Sequence, residues 1–188
     1  MTFDLPVVLD TCVLVGAGLR DTLLRLAETP ALYRPRWSDD IIVELERTLQ
    51  KRFGKSSVQT GHLVRELRRA FPEAWVQGYS DLIPSLLNEK KDRHVLAVAV
   101  CCGAQSIVTF NTRHFQPDAV RPHDVEVVHP DDFLLNQICL DEALVVCRFT
   151  EQANNIGRTV EQHLRAFHQT GALPSFTQAL AKACALDL

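Results

Sequence analysis

Apolar residues occur along this chain in two patterns, short unbroken runs and longer stretches with a helical repeat. Val7–Leu9 and Ile107–Phe110 are largely apolar runs rich in β-branched residues, and each predicts a fully buried strand. Helices are predicted from Ser38 or Asp39 to Phe53, where apolar side chains recur every three or four residues, and at 92–102, where nearly every position is apolar. This alternation predicts an α/β fold in which helices flank a central parallel β-sheet in three layers.

Further elements follow the same two patterns. Strands are also predicted at Tyr33–Trp37 and Val125–Val128, and helices at Thr11–Glu28 and Ser57–Phe71. From Pro130 onward the pattern predicts helices alone. The first is capped by Asp131 or Asp132, and the others span Asp141–Ala153, Arg158–Thr170 and Ser175–Leu186. The change predicts a sheet-containing domain at residues 1–129 and a small all-helical C-terminal extension at residues 130–188.

The composition is that of a folded globular protein. The chain has 188 residues, of which 46% are apolar and 23% charged, and this length suits one domain with an appendage. Its six cysteines include no C-x-x-C pair, so we expect small buried side chains in a reducing compartment. The N-terminus lacks the pattern of a signal peptide and no apolar run is long enough to cross a membrane. We therefore expect a cytoplasmic protein.

The net charge of −3 argues against a molecule that binds nucleic acid over its whole surface. Basic residues nevertheless dominate one segment, where Glu66 is the only acid among Arg47, Lys51, Arg52, Lys55, Arg65, Arg68 and Arg69. This segment either steers a phosphate backbone or forms the solvated faces of two helices.

Oxygen-bearing side chains follow the apolar runs at three distant places. Asp10 comes directly after the first strand, Asp92 begins the buried helix, and Asn111 follows the strand at Ile107–Phe110. Residues just past parallel strands meet at one edge of a sheet, where ligands bind. Each aspartate could simply cap the helix that follows it. Together they would repel each other without a cation, and oxygen ligands suit Mg²⁺ or Mn²⁺, so we predict a metal-dependent nuclease.

Four motifs also resemble a known family. In chain order they are LDTCVL, WSDDIIVELERTL, LLNEKKDRHVLAVAV and AQSIVTFNTRHF. They resemble the PIN domain of VapC-like ribonuclease toxins over about residues 5–130, and the helical tail resembles the extension that some of these toxins carry. The resemblance implies a Mg²⁺- or Mn²⁺-dependent endoribonuclease, an antitoxin protein that blocks its site, and a homodimer.

The resemblance also assigns site residues. It implies metal-binding carboxylates at Asp10, Glu44 and Asp92, and it places the fourth acidic position of the family on Asn111. Helical geometry alone points Glu44 away from the apolar stripe of its helix and leaves Glu46 as a rival. Cys12 stands where the family usually has Asn, so we expect the hydrogen bond that orients Asp10 to be missing.

The predicted mechanism is hydrolysis of a phosphodiester by a metal-activated water. Asp92, or a hydroxide on the metal, would act as the general base. His114 is either a phosphate contact or a structural hydrogen-bonding group beside Phe115. The other predicted substrate contacts are Thr11, Ser38, Thr109, Thr112 and Arg113.

Three other interpretations stay open at the level of the sequence. A PIN-like module could bind RNA or protein without cleavage, and the missing fourth acid supports that view. A phosphatase of the haloacid-dehalogenase type would need an acid at the position of Cys12. A receiver domain would need an acidic pair and a distal lysine that the chain does not present.

The helical tail could serve a dimer interface, antitoxin docking or RNA selection.

Overall fold

The central element of the fold is the short strand β1, Pro6–Leu9, which pairs in parallel on both sides. The computed structural model describes residues 5–187, and within them four strands form one sheet in the order β2–β1–β3–β4. All three pairings are parallel, and Val8 lies opposite Arg36 on one side and Ile107 on the other. The other strands are β2 (Arg34–Arg36), β3 (Ser106–Val108) and β4 (Glu126–Val128).

Helices make the connections between these parallel strands and surround the sheet. The buried helix α5 packs against β1, β2 and β3, and its residues Val95–Ala99 are all fully buried. The predicted α/β fold with a parallel sheet and a helical tail is therefore confirmed. The helices are α1 (Thr11–Val15), α2 (Ala17–Leu26), α3 (Asp39–Phe53), α4 (Ser57–Ala70), α5 (Arg93–Cys102), α6 (Pro117–Val120), α7 (Pro130–Leu140), α8 (Glu142–Asn155), α9 (Val160–Gln169) and α10 (Pro174–Ala183).

Two of the predicted elements differ from the structure in ways that bear on the site. The single helix at Thr11–Glu28 is two helices, because Gly16 adopts an extended backbone between them. The strand predicted to reach Phe110 ends at Val108. The two amides that follow Thr109 donate to side chains instead of a neighbouring strand, and these side chains belong to the candidate site described below.

Helix α3 is placed as predicted, and both of its ends have a clear cause. The Ser38 hydroxyl accepts a hydrogen bond from the Ile41 amide at 3.3 Å, which caps the N-terminus. Gly54 ends the helix in the left-handed conformation, with a φ of 63°. The apolar stripe of α3 faces the core, since Ile41, Leu45 and Leu49 are buried.

The helical extension packs tightly on the sheet-containing region. The Thr22 hydroxyl of α2 donates to Gln152 Oε1 of α8 at 2.8 Å, and Gln152 Nε2 donates to the Gly18 carbonyl at 2.9 Å. The rings of Tyr33 and Phe133 meet edge to face, with centroids 5.1 Å apart. One hydrophobic core thus joins both regions, and the boundary at residue 129 stays a prediction. No helix in the described part of the chain is long and apolar enough to cross a membrane.

The first helix of the extension is capped differently from the prediction. The ring nitrogen Nδ1 of His129, not Asp131 or Asp132, accepts the hydrogen bond of the first turn of α7, from the Asp131 amide. The Asp131 carboxylate instead accepts from the amides of Ser175 at 3.0 Å and Phe176 at 2.8 Å. It therefore caps α10 across the extension and fixes α10 against α7.

Replacing Asp131 with Ala should lower the free energy of unfolding by about 1–3 kcal/mol, because the amides of Ser175 and Phe176 lose their acceptor. Urea denaturation would measure the change. Asp132→Ala is the matched control, since Asp132 is exposed on the same turn and should cost less than about 0.5 kcal/mol. Equal losses for the two variants would contradict this role of Asp131.

Candidate active site

The predicted ligand residues meet in one cleft at the carboxyl edge of the sheet. Asp10 follows β1, Asn111 lies three residues after β3, Asp92 directly precedes α5, and Glu44 projects from α3. All four line the same cavity, whose volume is about 400 Å³. The parallel order of the strands and the position of α3 beside α1 bring these residues together from distant parts of the chain.

Asp10 is buried and its side chain does not cap a helix. It occupies the position before α1, but the carboxylate makes no capping hydrogen bond to that helix. Instead its Oδ2 accepts a 2.6 Å hydrogen bond from the Thr109 hydroxyl, which follows β3. This short bond fixes one oxygen of the carboxylate in place and excludes plain helix capping as the reason for an aspartate here.

Cys12 supplies a hydrogen bond that we expected to be missing. Its thiol donates to Asp10 Oδ2 at 3.1 Å, while its sulfur accepts from the Phe110 amide at 3.2 Å and lies 3.3 Å from Thr109 Oγ1. Burial, reinforced by the charge of Asp10, raises the pKa of the Cys12 thiol to about 12, so the thiol keeps its proton at neutral pH. The expectation that Asp10 loses its orienting partner was therefore wrong.

Asp92 is a buried carboxylate whose side chain lies against that of His114. Only 8% of the residue is exposed, its side chain does not cap α5, and its Oδ2 lies 2.9 Å from Nδ1 of His114, without the alignment of a hydrogen bond. Burial and then the nearby charge of Asp10 raise the pKa of Asp92, while His114 and Lys91 oppose the shift. Two carboxylates that repel each other in a half-enclosed cleft favour a cation between them.

Glu44, not Glu46, faces this cleft. Glu44 lines the cavity, whereas Glu46 is absent from the described lining and is half-buried elsewhere on α3. The Oε2 of Glu44 lies 3.6 Å from Nε2 of His94, a ring nitrogen that is buried without a hydrogen-bond partner in the described chain. The apolar stripe of α3 correctly predicted that Glu44 points away from the core. The cleft lies on that side of the helix.

The predicted substrate contacts divide into two groups. Ser38 and Thr109 are fully buried, and their hydroxyls serve α3 and Asp10, so a phosphate does not reach them. Thr11 lines the cavity, but its hydroxyl donates to the Ile41 carbonyl at 3.1 Å and joins α1 to α3. The substrate roles predicted for Ser38 and Thr109 are corrected to positioning roles, and that of Thr11 stays a prediction. Thr112 is half-buried and Arg113 is exposed in the turn after Asn111, where contact with substrate stays a prediction.

The residues of the cleft fit a divalent cation. Asp10, Glu44 and Asp92 offer carboxylate oxygens and Asn111 offers an amide oxygen, which is the donor set that Mg²⁺ and Mn²⁺ prefer. The carboxylate of Asp92 is buried beside that of Asp10, and a cation between them would offset their repulsion. The replacement of the fourth acid by Asn111 removes one negative charge and leaves three carboxylates to balance one or two cations.

A basic groove continues from the cleft along α3. Arg52 and Lys91 line the cleft, and a second cavity of about 520 Å³ adjoins it with Arg47 and Lys51. Glu44 belongs to both cavities. The basic segment predicted between Arg47 and Arg69 therefore falls into two parts. Of these, only the part on α3 borders the cleft.

The basic residues of α4 make other contacts. The guanidinium of Arg68 pairs with Asp39 at 3.0 Å and lies 3.8 Å from the ring centroid of Trp75. Arg69 pairs with Glu66 at 2.7 Å within its own helix. For these two arginines the alternative of a solvated, paired helix face is the better description.

Sequence reasoning missed three contributors to the site. His94 and Glu89 belong to the motif around Asp92, and they lie, respectively, 3.6 Å from Glu44 and 3.5 Å from His114, two residues that line the cleft. Cys12 was recognised as unusual, but its thiol was not considered as a donor. A polar or thiol side chain at i+2 from a strand-end aspartate is the signal that could have indicated it.

The fold and the cleft together define a parallel α/β domain with an acidic cleft whose oxygen atoms fit a divalent cation. Residues 6–113, more than half of the chain, match the family model described as PIN domain. The chain belongs to the PIN domain family, and the predicted resemblance to its VapC-like members is confirmed.

One relative is Putative ribonuclease VapC50 of Mycobacterium tuberculosis (strain ATCC 25618 / H37Rv), which is 52% identical over 69 residues. That stretch covers 37% of this chain and 41% of the relative, so the match spans less than half the length of the curated protein.

Asp92→Asn should raise the melting temperature of the metal-free protein at pH 7, because an uncharged amide avoids burial of a charge beside Asp10. A carboxylate with a raised folded-state pKa destabilises the fold above that pKa, and the penalty disappears as the pH falls. The gain should therefore shrink as the pH falls through the raised pKa of Asp92. Thermal unfolding in EDTA from pH 7 to pH 4 measures it.

Two comparisons make this test selective. Asp118→Asn, at an exposed carboxylate of α6, should change stability by less than about 0.5 kcal/mol at any of these pH values. Mn²⁺ at about 100 times its Kd should stabilise wild type by about 2.7 kcal/mol and Asp92→Asn much less. A metal-free Asp92→Asn protein that melts below wild type at pH 7 would contradict the interpretation.

Proposed function

We propose that this protein is a divalent-metal-dependent endoribonuclease and that it acts as the toxin of a toxin–antitoxin pair. The observation that carries the proposal is the convergence of Asp10, Glu44, Asp92 and Asn111 in one cleft beside a basic groove. Family membership and the name of the relative support it. An RNA substrate places the proposed activity in the cytoplasm.

Asp10, Glu44 and Asp92 would hold Mg²⁺ or Mn²⁺, with the amide oxygen of Asn111 as a further ligand or as the partner of a water. A bound ion of this kind lowers the pKa of a coordinated water and offsets charge on the phosphate oxygens. The chain's own contribution is orientation, because Thr109 and Cys12 hold Oδ2 of Asp10 fixed. This leaves the other carboxylate oxygen, Oδ1, to be offered to the ion.

Different residues around the cleft are assigned to proton transfer and to alignment of the substrate. Asp92, a buried carboxylate with a raised pKa, or a hydroxide on the metal, is the proposed general base. Arg52 and Lys91 on the rim, followed by Arg47 and Lys51 in the adjoining groove, would contact successive phosphates of a single strand. Their spacing along α3 favours a backbone that runs beside this helix.

The proposed partners follow from the same site. An antitoxin protein would block the open cleft, and a second copy of the chain would form a homodimer. The alternatives of a haloacid-dehalogenase-type phosphatase and a receiver domain lose their support, because the chain belongs to the PIN family. A PIN module that binds RNA without cleavage is the remaining alternative, favoured by Asn111 in place of an acid.

Asp92→Asn and Glu44→Gln should each reduce Mn²⁺-dependent cleavage of RNA by about 10²–10⁴-fold, since each removes a carboxylate from the proposed metal and proton-transfer site. Glu46→Gln is the matched control on the same helix and should keep wild-type activity. Cleavage of an end-labelled RNA, with and without EDTA, provides the measurement.

The pattern of results separates the two functions. If wild type and Asp92→Asn are equally inert while both retain RNA binding, the binding module is the correct description. If Glu46→Gln loses activity and Glu44→Gln does not, the assignment of the glutamate ligand is wrong even though a nuclease is present.

The toxin role has its own test in cells. Induced expression of wild type should arrest bacterial growth, and expression of Asp92→Asn at the same level should not. Co-expression of a cognate antitoxin should restore growth, because an antitoxin blocks the site. Arrest by both proteins would contradict a toxic activity that depends on the cleft.

A further inference from the structure

A cavity of about 720 Å³ lies where the helical extension meets the sheet-containing region. Its lining comes from residues 17–25 on α2 and from residues 152–170 on α8, α9 and the turn between them. The volume is typical of a site for a small ligand, which occupies about 300–1,000 Å³. None of the described residues around this extension cavity also lines the acidic cleft, so the two do not overlap.

The walls of the extension cavity are fixed by direct contacts between helices. A Cβ atom on Gly18 of α2 would lie 3.0 Å from the Phe167 ring of α9, so the glycine is what allows this ring to approach α2. The Gly18 carbonyl also accepts from Gln152 of α8 at 2.9 Å. Three helices therefore give the cavity a defined shape, although a glycine within a helix costs up to about 1 kcal/mol.

One buried side chain on the cavity wall has no hydrogen-bond partner. His163 of α9 is 3% exposed, and neither of its ring nitrogens is hydrogen-bonded within the described chain. Its ring packs against those of Phe149 and Phe167, with centroids 4.7 and 4.9 Å away. Burial and then the charge of Arg158 lower the pKa of His163, while Asp21 opposes the shift, so the ring is neutral at pH 7. A ligand that offers one acceptor and one donor would satisfy both nitrogens.

The extension cavity also carries an uncompensated positive charge. Asp21 and Arg25 line the wall on α2 and pair with each other at 2.9 Å. Arg158 lies in the turn between α8 and α9, where it is exposed and forms no ion pair with an acid of the described chain. Because two arginines and one aspartate leave one positive charge, the cavity favours an anionic ligand.

Much of the remaining lining is apolar and suits a flat ring. Ile156 is 53% exposed at the rim, and Ala166 and Phe167 continue the apolar surface along α9. The exposed amide of Asn155 adds one group that both donates and accepts. These features together match a ligand with a planar face, a hydrogen-bonding edge and a negative charge. A nucleotide combines these three parts.

A third cavity, of about 300 Å³, connects the extension cavity with the acidic cleft. It shares Ala17 with the extension cavity, and it shares Val15 and Phe53 with the cleft. The exposed Lys55 lines this third cavity and offers a cation to a phosphate. A single strand that occupies the cleft therefore has a path along α1 and α2 to the helical extension.

We propose that the extension cavity binds one nucleotide of the RNA strand whose scissile phosphate lies in the cleft. Arg158 would contact the phosphate of that nucleotide, while His163 and Asn155 would bind the edge of its base. The helical extension then selects RNA through a base that lies outside the cleft. The inference rests on the proposed nuclease function for the source of the nucleotide, and the binding itself does not depend on cleavage.

Binding without cleavage tests the phosphate contact. A short fluorescein-labelled single-stranded RNA is titrated with the full chain in EDTA, and fluorescence anisotropy gives the Kd. Arg158→Gln should weaken binding by about tenfold and reduce the salt dependence of log K by about 0.7, because one phosphate contact is lost. Arg165→Gln is the matched control on α9, since Arg165 is exposed, pairs with Glu161 and lies outside the cavity lining. This variant should keep the Kd of wild type.

The ring nitrogens of His163 give a direct reading of the base contact. Their ¹⁵N chemical shifts in the metal-free protein should move when the same RNA is added, because a neutral imidazole gains hydrogen bonds. Those of His168 should not move, since His168 lies outside the cavity lining and its Nδ1 is already 3.0 Å from the Thr177 hydroxyl oxygen. Ala166→Trp fills the cavity, so it should abolish the shift of His163 and weaken RNA binding while the Kd for Mn²⁺ stays unchanged.

Several results would overturn the proposal. One is an equal loss of affinity in Arg158→Gln and Arg165→Gln, and another is the absence of any ¹⁵N shift at His163 when RNA is added. A shift produced by adenosine or uridine 5′-monophosphate but not by RNA would show that the ligand is a free nucleotide and not part of the strand in the cleft. If RNA binds as proposed to a protein that cleaves none, the nuclease is contradicted and the role of the extension cavity stands.

Discussion

The parallel pairing of β1 with β3 is the constraint on which the rest of the structure depends. It places Leu9 opposite Val108, so the residues that follow each strand emerge at the same edge of the sheet. The hydrogen bond from Thr109 to Asp10 spans 99 positions in the sequence and exists only because of this register. A shift by one residue would turn Asp10 and Thr109 to opposite faces of the sheet. The same pairing buries Val8 and Ile107 completely, so the site is built on the least exposed part of the core.

The two aspartates of the cleft at this edge are held in different ways. Asp92 is buried beside another carboxylate, which raises its pKa, and its Oδ2 lies 2.9 Å from Nδ1 of His114. Burial of one charge so close to another of the same sign costs stability. Asp10 is treated differently, because a hydroxyl and a thiol hold one of its oxygens. Hydrogen bonds thus fix one oxygen of Asp10, whereas burial and the charge of Asp10 disfavour the charged form of Asp92.

The parts of this arrangement that depend on local patterns were predictable, and those that depend on contacts between turns were not. Asp10, Asp92 and the ends of α3 follow from strand ends, helix periodicity and capping residues. Glu44 could not be chosen over Glu46 by periodicity, since an apolar stripe locates the core face of a helix and carries no information on what lies opposite. The roles of Ser38 and Thr109 were misjudged because a hydroxyl near a site can serve the backbone or a neighbouring carboxylate equally well. The contact of Glu89 with His114 requires two irregular turns to meet, and no periodic signal describes such turns.

Helix α3 shows how one element serves both the core and the proposed chemistry. Its apolar stripe of Ile41, Leu45 and Leu49 is buried, which fixes the rotation of the helix. Rotation then determines the opposite face, where Glu44 meets the cleft and the basic side chains line the groove that adjoins it. Positions three and four apart lie on the same side of a helix, so Glu44, Arg47 and Lys51 project together. A negative group for a cation and positive groups for phosphates therefore sit side by side without a separate binding domain. The overall charge of −3 conceals this arrangement because the two signs cancel in the sum while they remain separated in space.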